Sequence, residues 1–353
     1  MKIWKIENKL MFYYDILGIK EEELGNVLIA RNKEEYYGKP IELPKKGGIR
    51  YIHSVDSKNT LFRLQKKLSD NFLSNILLPE TVHGFIKGTN YLEFLLPHTN
   101  FYGKNYYLRL DIKDFFGSIN IEILREVLIY YFKANEEFTK QDIDVLLNKT
   151  IDILTYNNKI IQGAPSSPVV SNIFFRSLDI RIEKYCRCFK ATYTRYADDM
   201  LFSAENNKIF HDSFISGITK IINDKNFYIN YDKIIRSKYE ISLGGYVISD
   251  SIRLSRKKFE NLNRVLFYIR NHKNYKDNMY YNNLNSVIRE QTYTENLQFT
   301  GIYSLINYLA GNRAFIISVL KYSSSPEFCK KAEQLNKQIE NMILKLYENI
   351  ENK

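Results

Sequence analysis

Two adjacent carboxylates stand in the middle of a stretch that is otherwise typical of a β-strand. The stretch YTRYADDMLFSA runs from Tyr193 to Ala204, with aromatic, β-branched and apolar residues on both sides of Asp198 and Asp199. Strand interiors disfavour aspartate, and neighbouring like charges repel each other. The apolar flanks therefore predict a buried hairpin that carries the two acids at its tip.

A third carboxylate, Asp111, follows a second strand-like run, Tyr107-Leu108-Arg109-Leu110. If the two strands are neighbours in one sheet, the three carboxylates converge. Hard divalent cations prefer such oxygen ligands and would cancel the repulsion between them. Two ions about 3.5–4 Å apart stabilise the attacking and leaving oxygens of an in-line phosphoryl transfer. The alternative is a solvated Asp pair at an ordinary turn.

Charge and aromatic content favour a nucleic-acid partner. The 353 residues have a formal net charge of +11 and include 28 Tyr and 22 Phe. A basic, Tyr-rich surface suits a polyanion whose bases can stack, although a merely basic protein is the alternative. Three cysteines, a start without a signal-peptide core and the absence of any run of 18 apolar residues predict a cytoplasmic protein without membrane contact.

The pattern along the chain predicts an α+β fold whose last hundred residues are helical. Ile41 to Val55 and the glycine-containing ISLGGYVIS, residues 241–249, predict hairpins. We expect Ser166 or Ser167 to cap the helix that begins there. We place a domain boundary near residue 253. Helical periodicity is predicted for residues 59–77, 121–133, 139–154, 167–185, 213–225 and most of the chain after Asp250.

The motifs together resemble those of reverse transcriptases. RYADDM resembles the Tyr-x-Asp-Asp box, LRLDIKDFFGSI the first-aspartate box, and QGAPSSPVVSN the Gln-Gly-x-x-x-Ser-Pro box. YDKI resembles the lysine box and LGGYVIS the primer-grip hairpin, while KKGGIRYIHSV and HGFIKGTN resemble fingers segments of retron and group II intron enzymes. The resemblance covers about residues 40–320.

This resemblance implies a right-hand polymerase fold, with an antiparallel sheet in fingers and palm and a helical thumb. Residues 1–105 would be mainly fingers, residues 106–252 mainly palm with fingers segments interleaved, and residues 253–353 the thumb. The implied cofactor is a pair of Mg²⁺ ions, with Mn²⁺ as an alternative. Asp111 and Asp198 would be the direct metal ligands, Asp199 a supporting catalytic ligand, and the backbone carbonyl of Ile112 a further ligand. Asp114 is expected to be a solvated acid.

The resemblance also implies nucleotide-binding residues. Phe116 aligns with the steric gate beneath the incoming sugar, where a 2′-hydroxyl would clash, and Phe115 is expected in the core. A core role for both rings is the alternative. Lys46 and Arg50 would bind the triphosphate, although Lys46 could instead touch template. Gln162 and Gly163 would lie along the incoming nucleotide, and Lys233 would lie near the leaving pyrophosphate.

Leu243, Gly244 and Gly245 occupy the primer-grip position, where glycines allow close backbone approach. An ordinary tight hairpin is a compatible account of the same residues. Farther along the chain, the start of the thumb contains basic residues that could track a duplex through its phosphates. They are Arg256, Lys257, Lys258, Arg264 and Arg270.

The implied function is an RNA-directed DNA polymerase that uses dNTPs to copy a structured non-coding RNA. A retron-type enzyme would form an RNA–DNA hybrid product and act in anti-phage defence, with a separate effector protein. Two retron signatures depart here: Leu95 replaces the Asn of an Asn-x-x-His motif ending at His98, and Leu243-Gly244-Gly245 replaces Val-Thr-Gly. The open alternatives are a non-retron defence enzyme making unbranched or repetitive DNA, a diversity-generating enzyme, and a catalytically silent RNA/DNA-binding partner of an effector.

Overall fold

The acidic hairpin and the strand that carries Asp111 lie side by side in one sheet of the computed structural model. The structure describes residues 4–29, 35–45, 48–53, 55–100, 102, 105–272, 278–289 and 298–351. The chain divides into two units, one formed by residues 1–94 and 107–236 and the other by residues 95–106 and 237–353. The predicted division into fingers, palm and thumb remains a prediction.

The central sheet contains five strands: Thr192–Tyr196 (β6), Asp199–Ala204 (β7), Tyr106–Lys113 (β3) and Tyr228–Ile229 (β8) follow one another in that order, and Ile235–Lys238 (β9) also pairs with β3. Within it, β6 and β7 form an antiparallel hairpin, and β3 and β8 are also antiparallel. Up to residue 238, the strands are β1 (Ile41–Lys45), β2 (Gly48–Ile52), β3 (Tyr106–Lys113), β4 (Thr155–Tyr156), β5 (Lys159–Ile160), β6 (Thr192–Tyr196), β7 (Asp199–Ala204), β8 (Tyr228–Ile229) and β9 (Ile235–Lys238).

Helices cover the sheet of the first unit, and the longest one is buried along one face. The α-helices are α1 (Glu21–Leu28), α2 (Thr60–Asn71), α3 (Tyr91–Leu95), α4 (Ile121–Ile129), α5 (Lys140–Leu154), α6 (Ser167–Cys188) and α7 (Asp212–Asn223). A π-helical segment spans Met11–Leu17, and 3₁₀ segments span Leu73–Asn75, Leu96–His98, Asn207–Phe210 and Tyr231–Lys233.

The predicted cap of α6 is wrong, although the helix begins where expected. Ser166 is the capping residue but its side chain makes no capping hydrogen bond. The Ser167 hydroxyl instead donates to the carbonyl of Ile161 at 2.7 Å, which ties the helix start to the preceding loop. Pro168 lies in the first turn, where the missing amide costs nothing.

The second unit is helical after a small sheet. The predicted hairpin of Ile241–Leu243 (β10) and Tyr246–Ile248 (β11) gains a third strand, because Ile252–Leu254 (β12) pairs antiparallel with β11. Ser255 then caps the next helix. Within the described ranges, no helix is long and apolar enough to cross a membrane. The elements are β10 (Ile241–Leu243), β11 (Tyr246–Ile248), β12 (Ile252–Leu254), α8 (Arg256–Asn271), α9 (Asn278–Arg289), α10 (Ile302–Leu320) and α11 (Pro326–Glu351). This mixture of helices and antiparallel strand pairs confirms the predicted α+β class.

Candidate active site

The turn between β6 and β7 places Asp198 directly against the strand that carries Asp111. Tyr196 pairs with Asp199, so Ala197 and Asp198 form a two-residue turn. Ala197 adopts a left-handed φ of 57° to make this turn. The carbonyl of Asp198 accepts a hydrogen bond from the amide of Ile112 at 3.0 Å. The neighbour relation on which the convergence of the carboxylates depended is therefore confirmed.

Asp111 lies inside β3, whereas the sequence suggested a position at the end of the strand. The strand continues to Lys113 because Ile112 and Lys113 pair with β8. Asp111 is only 4% exposed. Both of its carboxylate oxygens accept hydrogen bonds from the Lys233 ammonium, at 3.1 and 3.0 Å, and Asn230 Nδ2 lies 3.3 Å from Oδ2. A cationic group therefore already balances the charge of this buried acid.

Asp199 is held by an arginine on the neighbouring strand. Its Oδ1 accepts from Arg109 Nε at 2.9 Å and also from Nη2. Burial raises the pKa of the Asp199 carboxyl above its ordinary value, although the Arg109 guanidinium opposes that shift. The negative charges of Asp198 and Asp111 add to the increase in pKa. Asp198 and Asp111 therefore both lie close enough to Asp199 to affect its carboxyl group.

These donors have the chemistry of a divalent-cation site. Among the residues that the structure describes, no three His, Cys, Asp or Glu side chains gather closely enough to hold an ion. Carboxylate oxygens are the ligands that hard divalent cations prefer, and the negative charges of Asp198 and Asp111 act against that of Asp199, so added positive charge would stabilise this group. The ligand roles of Asp111, Ile112, Asp198 and Asp199 stay predictions.

A buried ion pair beneath the acidic turn was missed by sequence reasoning. Arg195 and Asp179 are both fully buried, and the guanidinium donates to the carboxylate at 2.8 and 2.7 Å. Arg195 Nη1 also donates to the carbonyl of Ala197 at 3.0 Å, and the Tyr193 hydroxyl donates to Asp179 at 2.8 Å. The available signals were an arginine inside an aromatic strand and an aspartate inside an apolar helix.

Gly84 packs against the same turn and was also missed as a separate feature. The segment before it runs beside β6, with hydrogen bonds from Arg195 N to Thr81 O at 2.8 Å and from His83 N to Arg195 O at 2.9 Å. A Cβ at Gly84 would lie 2.5 Å from the amide nitrogen of Ala197. The Gly84 carbonyl accepts from Asn172 at 2.7 Å. Only glycine permits this close approach.

The two phenylalanines after β3 have different environments. Phe115 is 4% exposed and stacks with Phe227 at a centroid distance of 5.6 Å, which confirms its predicted core position. Phe116 is half-buried, and its ring lies 5.5 Å from that of Phe115. Asp114 is exposed at the end of the strand, as expected for a solvated acid.

The hairpin of β1 and β2 meets the Gln-Gly box through its backbone. His53 N, just after β2, donates to the carbonyl of Gln162 at 3.1 Å. Gly163 has a φ of 108°, and a Cβ there would clash with the carbonyl oxygen of His53. Arg50 lies in β2 opposite Leu43, whereas Lys46 falls outside the described residues. The structure thus joins the hairpin to Gln162 and Gly163.

In the second unit, Leu243, Gly244 and Gly245 form a tight hairpin. Leu243 pairs with Tyr246, and the two glycines between them have φ values of 59° and 89°. Leu243 is 4% exposed, and the carbonyl of Gly245 accepts from Ser255 N at 2.8 Å. The hairpin is confirmed, while its role as a primer grip remains a prediction.

The architecture and the acidic hairpin define a class of protein. A family model described as reverse transcriptase (RNA-dependent DNA polymerase) matches residues 42–248, more than half of the chain. The chain belongs to the reverse transcriptase family. The right-hand polymerase fold predicted from the motifs is the fold of that family, and this prediction is confirmed.

Its curated relatives include retron reverse transcriptases, as the motifs predicted. The Mx65 enzyme of Myxococcus xanthus is 26% identical over 280 residues, covering 75% of this chain and 63% of the relative. The Ec73 enzyme of Escherichia coli is 31% identical over 217 residues, covering 60% of this chain and 66% of the relative. The Ec86 enzyme of Escherichia coli is 29% identical over 234 residues, covering 64% of this chain and 68% of the relative. The chain thus spans about two thirds of the length of these relatives.

Solved structures with a similar course of the chain are more distant. Telomerase from Candida albicans with a TWJ fragment of telomeric RNA is 14% identical, with a TM-score of 0.46 over 88% of this chain and 62% of its own. A foamy viral protease–reverse transcriptase in complex with double-stranded DNA is 14% identical, with a TM-score of 0.38. The match covers 90% of this chain and 48% of the viral protein.

Proposed function

We propose that this protein is a retron-type RNA-directed DNA polymerase that copies a structured partner RNA into DNA. The observation that carries the proposal is the hydrogen bond between Ile112 N and Asp198 O, because it brings the turn of the acidic hairpin against the strand of Asp111. The RNA–DNA hybrid product, the anti-phage role and the separate effector protein belong to this proposal.

The three carboxylates form the proposed catalytic centre. Bound Mg²⁺ ions would supply positive charge to the attacking and leaving oxygens. Asp111, Asp198 and the carbonyl of Ile112 would hold the ions, with Asp199, oriented by Arg109, as a supporting ligand. Lys233 is already in contact with Asp111. This contact supports a role in which the ammonium would neutralise charge or donate a proton to the leaving pyrophosphate.

The remaining proposed roles concern the nucleotide and the primer. Phe116 lies just after β3 and would exclude a 2′-hydroxyl, which makes dNTPs the substrates. Gln162 and Gly163 would lie along the nucleotide, next to the hairpin whose Lys46 and Arg50 bind its triphosphate. The primer strand would run along the backbone of residues 243–245.

Asparagine substitutions at single carboxylates test the catalytic centre. We expect Asp198→Asn and Asp111→Asn to lower dNTP incorporation on a primed RNA template with Mg²⁺ by at least about a hundredfold, because each removes charge from the reacting centre. Asp114→Asn is the matched control and should keep wild-type activity, since Asp114 is exposed. Circular dichroism should be unchanged in all of them. Full synthesis by Asp198→Asn would refute the site.

The product distinguishes the retron type from its alternatives. Nucleic acid that copurifies with the protein from its native locus should contain a branched RNA–DNA molecule. Unbranched or repetitive DNA would instead identify a different defence enzyme or a diversity-generating one. Bound RNA without any dNTP incorporation by the wild-type protein would identify a catalytically silent binding partner.

A further inference from the structure

Phe85 combines exposure with an unusual backbone conformation beside the catalytic turn. Its φ is 62°, and its side chain is 40% exposed. A bulky side chain in the left-handed region is an outlier that costs free energy, and such residues cluster at functional sites. With 40% of the side chain exposed, burial in the core does not by itself account for this conformation.

The loop that carries Phe85 is held in place on both sides. The Thr89 hydroxyl lies 2.8 Å from the carbonyl of His83 and 2.9 Å from that of Ile86, spanning the loop. On the other side, Gly84 packs on the backbone of Ala197 and its carbonyl accepts from Asn172. The Phe85 ring is therefore presented from a fixed backbone.

Phe85 lies beside two rings of the proposed active site. Its centroid is 6.2 Å from that of Phe116 with an interplanar angle of 46°, and 6.4 Å from that of Tyr196 with an angle of 42°. Both distances are within the range of favourable aromatic pairs. Phe116 thus has the buried Phe115 as one neighbour and the exposed Phe85 as another.

We propose that Phe85 is a positioning residue that holds the ring of Phe116 and thereby sets the discrimination between deoxyribonucleotides and ribonucleotides. A steric gate rejects a 2′-hydroxyl only while its ring cannot turn away. Phe85 limits that movement from the solvent side, where the core offers no support. The inference rests on the proposed polymerase function and on Phe116 as its gate.

The test compares the full-length wild type with Phe85→Ala, Phe85→Leu and Phe116→Ala. The measurement is kcat/KM for dTTP and for UTP on a poly(rA) template with an oligo(dT) primer. We expect Phe85→Ala to lower the preference for dTTP over UTP by about three- to tenfold, the effect of losing one aromatic pair. Phe85→Leu should recover part of that preference, and Phe116→Ala should lower it further.

Two controls separate positioning from general damage. Tyr130→Ala removes another exposed ring, 76% accessible and outside these ring contacts, and should leave the preference unchanged. In the Phe85→Ala/Phe116→Ala double variant the preference should match that of Phe116→Ala alone, because the two effects act through one ring. A purely structural role would lower kcat for both nucleotides equally.

The outcomes also distinguish failure of this inference from failure of the proposed function. If Phe116→Ala relaxes sugar selection and Phe85→Ala does not, the role of Phe85 is refuted while the polymerase remains. If Phe116→Ala leaves selection unchanged, the gate itself is refuted and this inference with it. If the wild type incorporates no dTTP, the proposed function fails.

Discussion

Arg195 and Asp179 form an ion pair beneath the acidic turn, where neither side chain reaches solvent. Removing two charges from water costs several kcal/mol per ion unless every remaining polar group is satisfied. Here the guanidinium also donates to the carbonyl of Ala197, and Asp179 also accepts from Tyr193. The ring of Phe175 lies 4.6 Å from the guanidinium carbon. The pair thus ties the acidic turn to α6.

Loss of Arg195 should therefore be costly for folding. We expect Arg195→Met to lower the free energy of unfolding by about 3–5 kcal/mol, because Asp179 is left as a buried, unpaired charge. Arg187→Met is the matched control, since the Arg187–Glu183 pair on the same helix is exposed and should contribute no more than about 1 kcal/mol. Urea denaturation measures both. Equal effects of the two substitutions would contradict the role of burial.

Lys225 makes a pH-dependent contribution to stability. Burial, with a smaller effect from Arg181, lowers the pKa of Lys225 to about 8 from 10.5. Below pH 8 the amine is charged in both states, so its burial costs stability. Between pH 8 and 10.5 the folded state loses the proton first, and this cost is relieved.

The difference in unfolding free energy between wild type and Lys225→Met isolates this effect. We expect the wild type to gain stability relative to Lys225→Met as the pH rises from 7.5 to 10. Other groups titrate alike in both proteins, so their contributions cancel in this difference. Denaturant titrations at each pH provide the measurement. A difference that stays constant over this range would show that the pKa of Lys225 is not lowered.

At the scale of elements, the position of the acidic hairpin depends on a segment that the strand pattern does not reveal. Residues 81–84 run beside β6, and Gly84 lies against the backbone of Ala197. A methyl group at Gly84 would have to displace backbone atoms and not a flexible side chain. The acidic turn is therefore sensitive to a residue more than a hundred positions earlier in the chain.

Gly84→Ala tests this contact. We expect it to lower the free energy of unfolding by about 1–3 kcal/mol, the usual cost of overpacking, and to lower dNTP incorporation with it. Gly25→Ala is the control: Gly25 lies in α1 with no atom within 4 Å of an added Cβ, so the change should stabilise the protein by about 0.5–1 kcal/mol. Wild-type activity and stability in Gly84→Ala would contradict the close packing.

Most elements could be predicted from the sequence because their signals are local. The acidic hairpin, α5 and α6 follow from alternation or from helical periodicity over more than one turn. The ends were less accurate: α2 stops at Asn71 and not near residue 77, and α6 continues to Cys188. Such ends depend on packing and on hydrogen bonds to distant loops, as Ser167 shows with Ile161.

At the scale of the whole molecule, the net charge of +11 should govern affinity for nucleic acid. Binding that neutralises phosphates releases counterions, so the affinity falls steeply with salt. We expect the dissociation constant for a labelled RNA–DNA duplex to rise at least about tenfold between 50 and 200 mM NaCl. Fluorescence anisotropy measures it, with sucrose of equal osmolality as the control. Binding that is insensitive to salt would contradict a phosphate-based interface.

The sequence by itself determined the class of this protein and its three carboxylates. The motifs, the apolar flanks of Asp198 and Asp199, and the position of Asp111 are all patterns within short stretches, and the order of the motifs can be read directly along the chain. Only the tertiary structure decided that β3 lies beside the acidic hairpin, that Arg195 supports the turn from below, and that Phe85 stands against Phe116. These contacts join residues far apart in the chain. Side-chain packing and buried charge pairing select them, and neither is encoded in a local pattern.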